Sequence, residues 1–322
     1  MKGSYTIKVY NHRVTFTLEI ERNITVITGN SATGKTTLID SISAYEEFGS
    51  KSGVSIESKK ECHVISGKNW YDNLIKIKDS FVFIDEGSAF VKSKDFAKAI
   101  RESDNYYILV TRENLYQLPY SVNSILELHK TSSRFKHTYN RSYPKYESIP
   151  TFTNELQNVE QIITEDSNSG YEMFLYIASS KGIRCISAGG RNGIYEAINN
   201  IPEKKKLVVA DGAAFGSNMA AVYRYVETHK NETVLYLPES FEWIILASGV
   251  VSDEEIDRIL DNPPDYIESS QFFSWERFFT YLLEEKTKGK KSAYSKNKLS
   301  DYFLNEGNVK KIVEIIEKGR GK

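Results

Sequence analysis

The stretch Asn23-Ile24-Thr25-Val26-Ile27-Thr28-Gly29-Asn30-Ser31-Ala32-Thr33-Gly34-Lys35-Thr36-Thr37-Leu38-Ile39 decides the fold. Ile24 to Thr28 is apolar and β-branched, which suits a buried strand, and Leu38, Ile39 and Ile42 recur on one face at helical spacing. Between them the two glycines let backbone N–H groups wrap an anion at the mouth of the helix, whose dipole adds partial positive charge. Lys35 is then the candidate for the β and γ phosphates of a nucleotide, and the Thr36 hydroxyl for its Mg²⁺. The candidate phosphate-binding residues are therefore Gly29, Asn30, Ser31, Ala32, Thr33, Gly34, Lys35, Thr36 and Thr37, with ATP or GTP as the ligand.

Working outward, Thr6 to Tyr10 and Val14 to Ile20 alternate apolar and polar residues around Asn11-His12, the pattern of a hairpin with one wet face. Downstream, Phe81-Val82-Phe83-Ile84 and Tyr106-Tyr107-Ile108-Leu109-Val110 are continuous apolar runs of the kind buried on both faces of a parallel sheet. The first run ends in Asp85-Glu86, two carboxylates at the edge where open α/β sheets bind ligands. Asp85 suits the Mg²⁺ hydration shell, and Glu86 suits polarisation of an attacking water. The second run ends in Thr111-Arg112. Either residue is placed to sense a γ-phosphate; Arg112 is a candidate for stabilising transition-state charge, or for a salt bridge on the rim.

Glu47 to Lys60, rich in Gly, Ser and charge, reads as a loop, and Cys62 to Ile65 as a short strand. Ile125 to Leu128 and Arg134 to Tyr139 read as a closing pair of strands. Prolines at 144 and 150 mark a boundary, which gives a first domain over 1–148. Beyond it, strands at 160–164, 183–187, 206–210 and 233–237 alternate with helices at 171–178, 192–199 and 218–229, which implies a second, mostly parallel α/β domain over 149–250. Residues 251–322 read as a helical extension with a lysine-rich interruption. The row Phe272, Phe273, Trp275, Phe278 and Phe279 reads as the buried face of a helix.

The chain has 322 residues, 42 basic against 43 acidic, with a net charge of −1. That is room for two ordinary cores and gives no global field toward nucleic acid or an anionic membrane. No apolar run approaches the roughly 18 residues needed to cross a bilayer, so a cytoplasmic location without a membrane partner is expected. Two cysteines, Cys62 and Cys185, read as unpaired thiols. Lys286 to Lys298 is basic with Tyr294 inside it and is a candidate nucleic-acid contact, as is Arg134 to Lys145.

On the N-terminal hairpin, Gly29 to Thr36, Asp85-Glu86 and Val110-Thr111, the first domain resembles P-loop ATPases of the ATP-binding-cassette type, including the heads of overcoming-lysogenization-defect proteins. Arg112 stands where that family has a histidine. The second domain, on Glu165, Gly189-Gly190 and Asp211-Gly212, resembles the topoisomerase–primase module of the same proteins. This resemblance implies Mg²⁺ at Glu165 and Asp211, with Asp166, Glu239 and Glu242 as further oxygen donors. Ala213 stands where the module has a second aspartate. The fold class implied is α/β throughout, a P-loop domain followed by a topoisomerase–primase-like domain and a helical tail. The functions implied are an ATP-hydrolysing regulator or effector of a mobile-element or antiviral system, or a nucleotide-gated switch that binds nucleic acid or protein; a motor-type ATPase is a third reading, and a second copy of the chain is a candidate partner.

Overall fold

The hairpin forms because Asn11 closes its turn: the side-chain Oδ1 accepts the backbone N–H groups of Arg13 and Val14 at 2.8 and 3.0 Å. It joins β1 (Tyr5–Tyr10) to β2 (Val14–Ile20) in antiparallel register, Tyr10 opposite Thr15. In the computed structural model the described residues are 2–29, 33–134, 137–146, 158–201, 204–230 and 232–318. Asn30, Ser31 and Ala32 of the glycine loop, Phe135-Lys136 of the aromatic-basic stretch, and Ile149-Pro150 of the boundary lie outside them.

The first unit comprises residues 1–147 and 263–273. After the hairpin come β3 (Ile24–Thr28), α1 (Lys35–Phe48), β4 (Ser55–Glu57), β5 (Cys62–Val64), α2 (Trp70–Leu74), β6 (Phe81–Ile84), α3 (Lys94–Arg101), β7 (Tyr106–Val110), β8 (Ile125–Arg134) and β9 (His137–Pro144). They build one sheet in the order β4-β1-β2-β9-β8-β3-β7-β6-β5, in which β8, β3, β7, β6 and β5 are mutually parallel. The crossovers leave β3 and β6 separated by β7. Strands β6 and β7 are buried on both faces because each carries apolar residues in both phases. Phe81, Phe83, Tyr106, Ile108 and Val110 join Leu38, Ile39 and Ile42 of α1 in one core cluster. From α3, Phe96 meets Tyr107 edge-on at 6.0 Å.

Two features of this unit differ from the sequence reading. The stretch expected as a loop at 47–60 contains β4, which pairs with β1 through Val9 opposite Ile56 and extends the sheet edge. Its pairing is set by the partner strand, which local composition does not encode. Strand β8 runs antiparallel to β9 and both are longer than the sequence reading, with a register shift between Lys130 and Ser132.

The second unit comprises 148–262 and 274–322. Its elements are β10 (Gln161–Thr164), α4 (Ser169–Ser180), β11 (Arg184–Ser187), α5 (Ile194–Asn199), β12 (Lys206–Val209), α6 (Gly216–Thr228), β13 (Thr233–Tyr236), α7 (Phe241–Ala247), α8 (Glu254–Asp261), α9 (Trp275–Thr287) and α10 (Glu306–Lys318). The sheet is fully parallel in the order β11-β10-β12-β13. The strict strand–helix alternation is what such a sheet requires. Residues 274–318 belong to this unit, so most of the tail is part of the second core. Trp275, Phe278 and Phe279 are the buried face of α9, whereas Phe272 and Phe273 precede that helix, are half-buried and belong to the first unit.

Candidate functional site

The glycine loop sits at the carboxyl end of β3. Gly29 has φ +122° and Gly34 φ +90°, values that L side chains rarely adopt, so the glycines stand where the backbone conformation requires them. Gly34 has a second constraint: a Cβ there would stand 3.0 Å from Cε1 of Phe16. Gly34 caps α1, and Lys35 opens it.

Lys35 is almost fully buried, at 6% exposure. Its Nζ donates to Gly29 O at 2.7 Å and to Thr33 Oγ1 at 3.2 Å, so the ammonium ties Gly29 to Thr33. Burial lowers its pKa and Arg112 lowers it further, while Glu86, Glu127 and Asp85 oppose. The fields of four residues, two after β6, one after β7 and one within β8, thus converge on one ammonium. Thr36 and Thr37 are exposed on the first turn of α1.

Asp85 and Glu86 follow β6. Asp85 is half-buried and its Oδ1 accepts the N–H of Glu86 at 2.7 Å, which fixes the turn. Arg112, at the end of the adjacent β7, places Nε 3.2 Å from Glu86 Oε1. Of the two roles the sequence left open for Arg112, the rim salt bridge is formed here, and its partner is the candidate base. Thr111 is buried, with its Oγ1 accepting Glu113 N–H at 3.0 Å. A cleft of about 130 Å³ opens between these strand ends, lined by Asp85, Glu86, Ser88 and Thr111, with the Lys92–Glu113 ion pair among its walls.

Two further residues reach the loop from the other side. Glu127 on β8 lies opposite Thr28 in register. Lys145 Nζ is 3.1 Å from Glu127 Oε1 and donates to Thr28 Oγ1 at 3.2 Å. Sequence reasoning passed over Glu127 and placed Lys145 only in a basic stretch considered for nucleic acid. The one signal was an acid inside the apolar run Ile125-Leu126-Glu127-Leu128; that its partner is Lys145 depends on the β8–β9 register.

In the second unit, Glu165 follows β10 and Asp211 follows β12, on neighbouring strands. The Asp211 N–H donates to Glu165 Oε2 at 3.0 Å. Burial pushes the Glu165 carboxyl up to about 7, against that hydrogen bond, with Glu276 adding to the rise. Burial and then Glu276 raise Asp211 as well. Asp166 is committed elsewhere: Oδ1 accepts Ser167 and Asn168 N–H, and Oδ2 accepts Gly170 N–H at 2.7 Å, so it caps α4. Glu239 and Glu242 are buried, and Ala213 is packed at 3% exposure. Among the described residues, no group of three or more His, Cys, Asp or Glu side chains is arranged to hold a metal ion.

Three of the six lysines in the stretch 286–298 are in ion pairs. Lys286 pairs with Asp253 and Glu255, Lys288 with Glu285, and Lys296 with Glu276, while Tyr294 is buried. Cys62 and Cys185 are free thiols. Among the described residues, no helix is long and apolar enough to cross a membrane. Neither family models nor curated protein sequences give a match to this chain.

Proposed function

We propose that the first unit binds a nucleoside triphosphate, ATP or GTP, with Mg²⁺, and that the chain is a nucleotide-hydrolysing regulator or effector of the overcoming-lysogenization-defect type. The observation that supports this reading is the buried Lys35 ammonium bonded to Gly29 O at the mouth of α1, with Gly29 and Gly34 both at positive φ and Asp85 two strands away across β7. Main-chain amides and one cation at a helix start are what a polyphosphate needs. In this reading Gly29 to Thr37 hold the phosphates, Lys35 exchanges Gly29 O and Thr33 Oγ1 for phosphate oxygens, and Thr36 and Asp85 hold the ion. The bound ion would neutralise charge on the phosphates. Glu86 orients water once it leaves Arg112, and Thr111 lines the neighbouring strand end.

A specific observation favours a second reading, a nucleotide-gated switch with negligible turnover: the candidate base Glu86 is already paired with Arg112. Calorimetric binding of ATP and GTP with Mg²⁺, together with steady-state turnover, separates the two. Loss of one charge-assisted hydrogen bond is worth about 1.5–3 kcal/mol, so Lys35→Ala is expected to weaken binding by roughly 10- to 100-fold. Tight binding with turnover fits the first reading, and tight binding without turnover fits the second. Wild-type protein that binds neither nucleotide removes both.

A further inference from the structure

The acidic strand ends of the second unit suggest a divalent cation, but the donor set does not suit one. Glu165 Oε2 is engaged by the Asp211 N–H, and both Asp166 oxygens accept backbone N–H groups, Oδ2 that of Gly170 in α4. The cavity beside Glu165, Asp166 and Asp211 has about 10 Å³, the space of about one water. Mg²⁺ demands octahedral oxygen ligation and usually keeps several waters.

A cation whose field reaches these acids belongs to the chain itself. Lys296 Nζ lies 2.6 Å from Glu276 Oε1 on α9, and its charge acts on Glu242 of α7 and on Asp211 after β12. The segment that carries it is pinned at several points. Tyr294 OH donates to Glu242 Oε1 at 2.8 Å and shares a 2.7 Å hydrogen bond with Ser169 Oγ. Ser169 N–H donates to the Lys296 carbonyl at 3.3 Å, and Leu299 N–H donates to Glu172 Oε2 at 2.8 Å.

We propose that Lys296 is the resident counter-cation of this acidic centre, taking the charge-balancing role that a divalent ion was expected to fill, so that the second unit needs no metal. Acids that stay ionised while losing water need a partner charge, and a tethered, half-exposed ammonium supplies one at the edge of the cluster. Burial alone would lower the Lys296 pKa; Glu276, Glu242 and Asp211 outweigh it and push the group up. This inference is independent of nucleotide binding by the first unit.

The test uses the nucleotide-free full chain and Mn²⁺, read by the electron paramagnetic resonance signal of the free ion. Wild type is expected to leave that signal unchanged up to millimolar Mn²⁺. Lys296→Met, which leaves the acids without their cation, is expected to stay silent too, because the donors remain committed, and to lower the folding equilibrium constant at least about tenfold. Adding Asp211→Asn to Lys296→Met is expected to recover most of that loss, and Lys296→Arg, which keeps a cation, to show little of it. If Lys296→Met does not fold, Lys296→Arg and the Lys296→Met, Asp211→Asn double variant are expected to fold. The idea is overturned if wild type binds Mn²⁺ in a way that Asp211→Asn abolishes, if Lys296→Met is as stable as wild type, or if adding Asp211→Asn recovers nothing.

Discussion

Replacing Gly34 by alanine tests the loop geometry through a packing contact that can be costed. At φ +90° an L residue stores about 1–3 kcal/mol of backbone strain. The added Cβ would also stand 3.0 and 3.2 Å from Cε1 and Cζ of Phe16, whose ring is completely buried. The ring must shift within a packed core, and overpacking of this kind costs about 1–3 kcal/mol more. Gly87 supplies the control, with φ +95° and no atom within 4 Å of the Cβ position, so only the backbone contribution applies there. Gly34→Ala should therefore destabilise the first unit by about 1–3 kcal/mol more than Gly87→Ala does. Urea unfolding would be followed by Trp70 fluorescence in a Trp243→Phe, Trp275→Phe background. Trp70 is then the sole indole and reports the first unit alone. Adding Phe16→Leu should recover part of the Gly34→Ala loss and none of the Gly87→Ala loss, a coupling that a double-mutant cycle isolates. Equal losses at the two glycines, or no coupling between positions 34 and 16, would refute the packing argument.

Other expectations follow from the same contacts. Arg112→Ala should raise nucleotide turnover by freeing Glu86, while changing the melting free energy by less than about 1 kcal/mol, because both partners are nearly half-exposed; unchanged turnover counts against the latch. Lys145→Ala removes the nearer of two partners of Glu127, the other being His129 at 3.7 Å, and should weaken nucleotide binding by roughly tenfold, with Glu127→Gln moving affinity the other way; calorimetry reads both. In the second unit, burial and Glu276 and Asp166 raise the Glu165 carboxyl to about 7, against the Asp211 N–H and Arg191. The folded chain keeps a proton that the unfolded chain releases near its ordinary value, so this contribution to stability is complete at low pH and lost as pH rises through about 7. Thermal melts between about pH 5 and about pH 8 should show the decline, and Glu165→Gln should flatten it.

Much of the architecture was legible because its signals are local. The β-branched run at Ile24 to Thr28, the double apolar phase of Phe81 to Ile84 and Tyr106 to Val110, and the glycine spacing each declare an element without knowledge of its neighbours. What stayed hidden depends on pairing. Strand β4 exists because β1 offers an open edge to Ile56. Lys145 meets Glu127 only through the β8–β9 register. Lys296 looked like one of several solvated lysines, yet it answers to an acid on α9. Asp166, a plausible donor by position, is spent on the start of α4, which its neighbour Gly170 permits: a Cβ there would come within 2.6 Å of Asp166 Oδ2.

Residues 263–273 return to the first unit after the chain has built most of the second. There the Phe273 carbonyl accepts Asn23 Nδ2 at 3.0 Å, the Pro264 carbonyl accepts Gly3 N–H at 2.7 Å, and the Phe273 ring lies 5.6 Å from the Arg101 guanidinium. Neither unit is therefore encoded by an uninterrupted stretch of the gene. On the ribosome, the segment of the first unit that is translated first has to wait for residues 263–273 before its last contacts can close. A fragment cut at residue 148 would carry the whole glycine loop and still leave Asn23 and Gly3 without those partners.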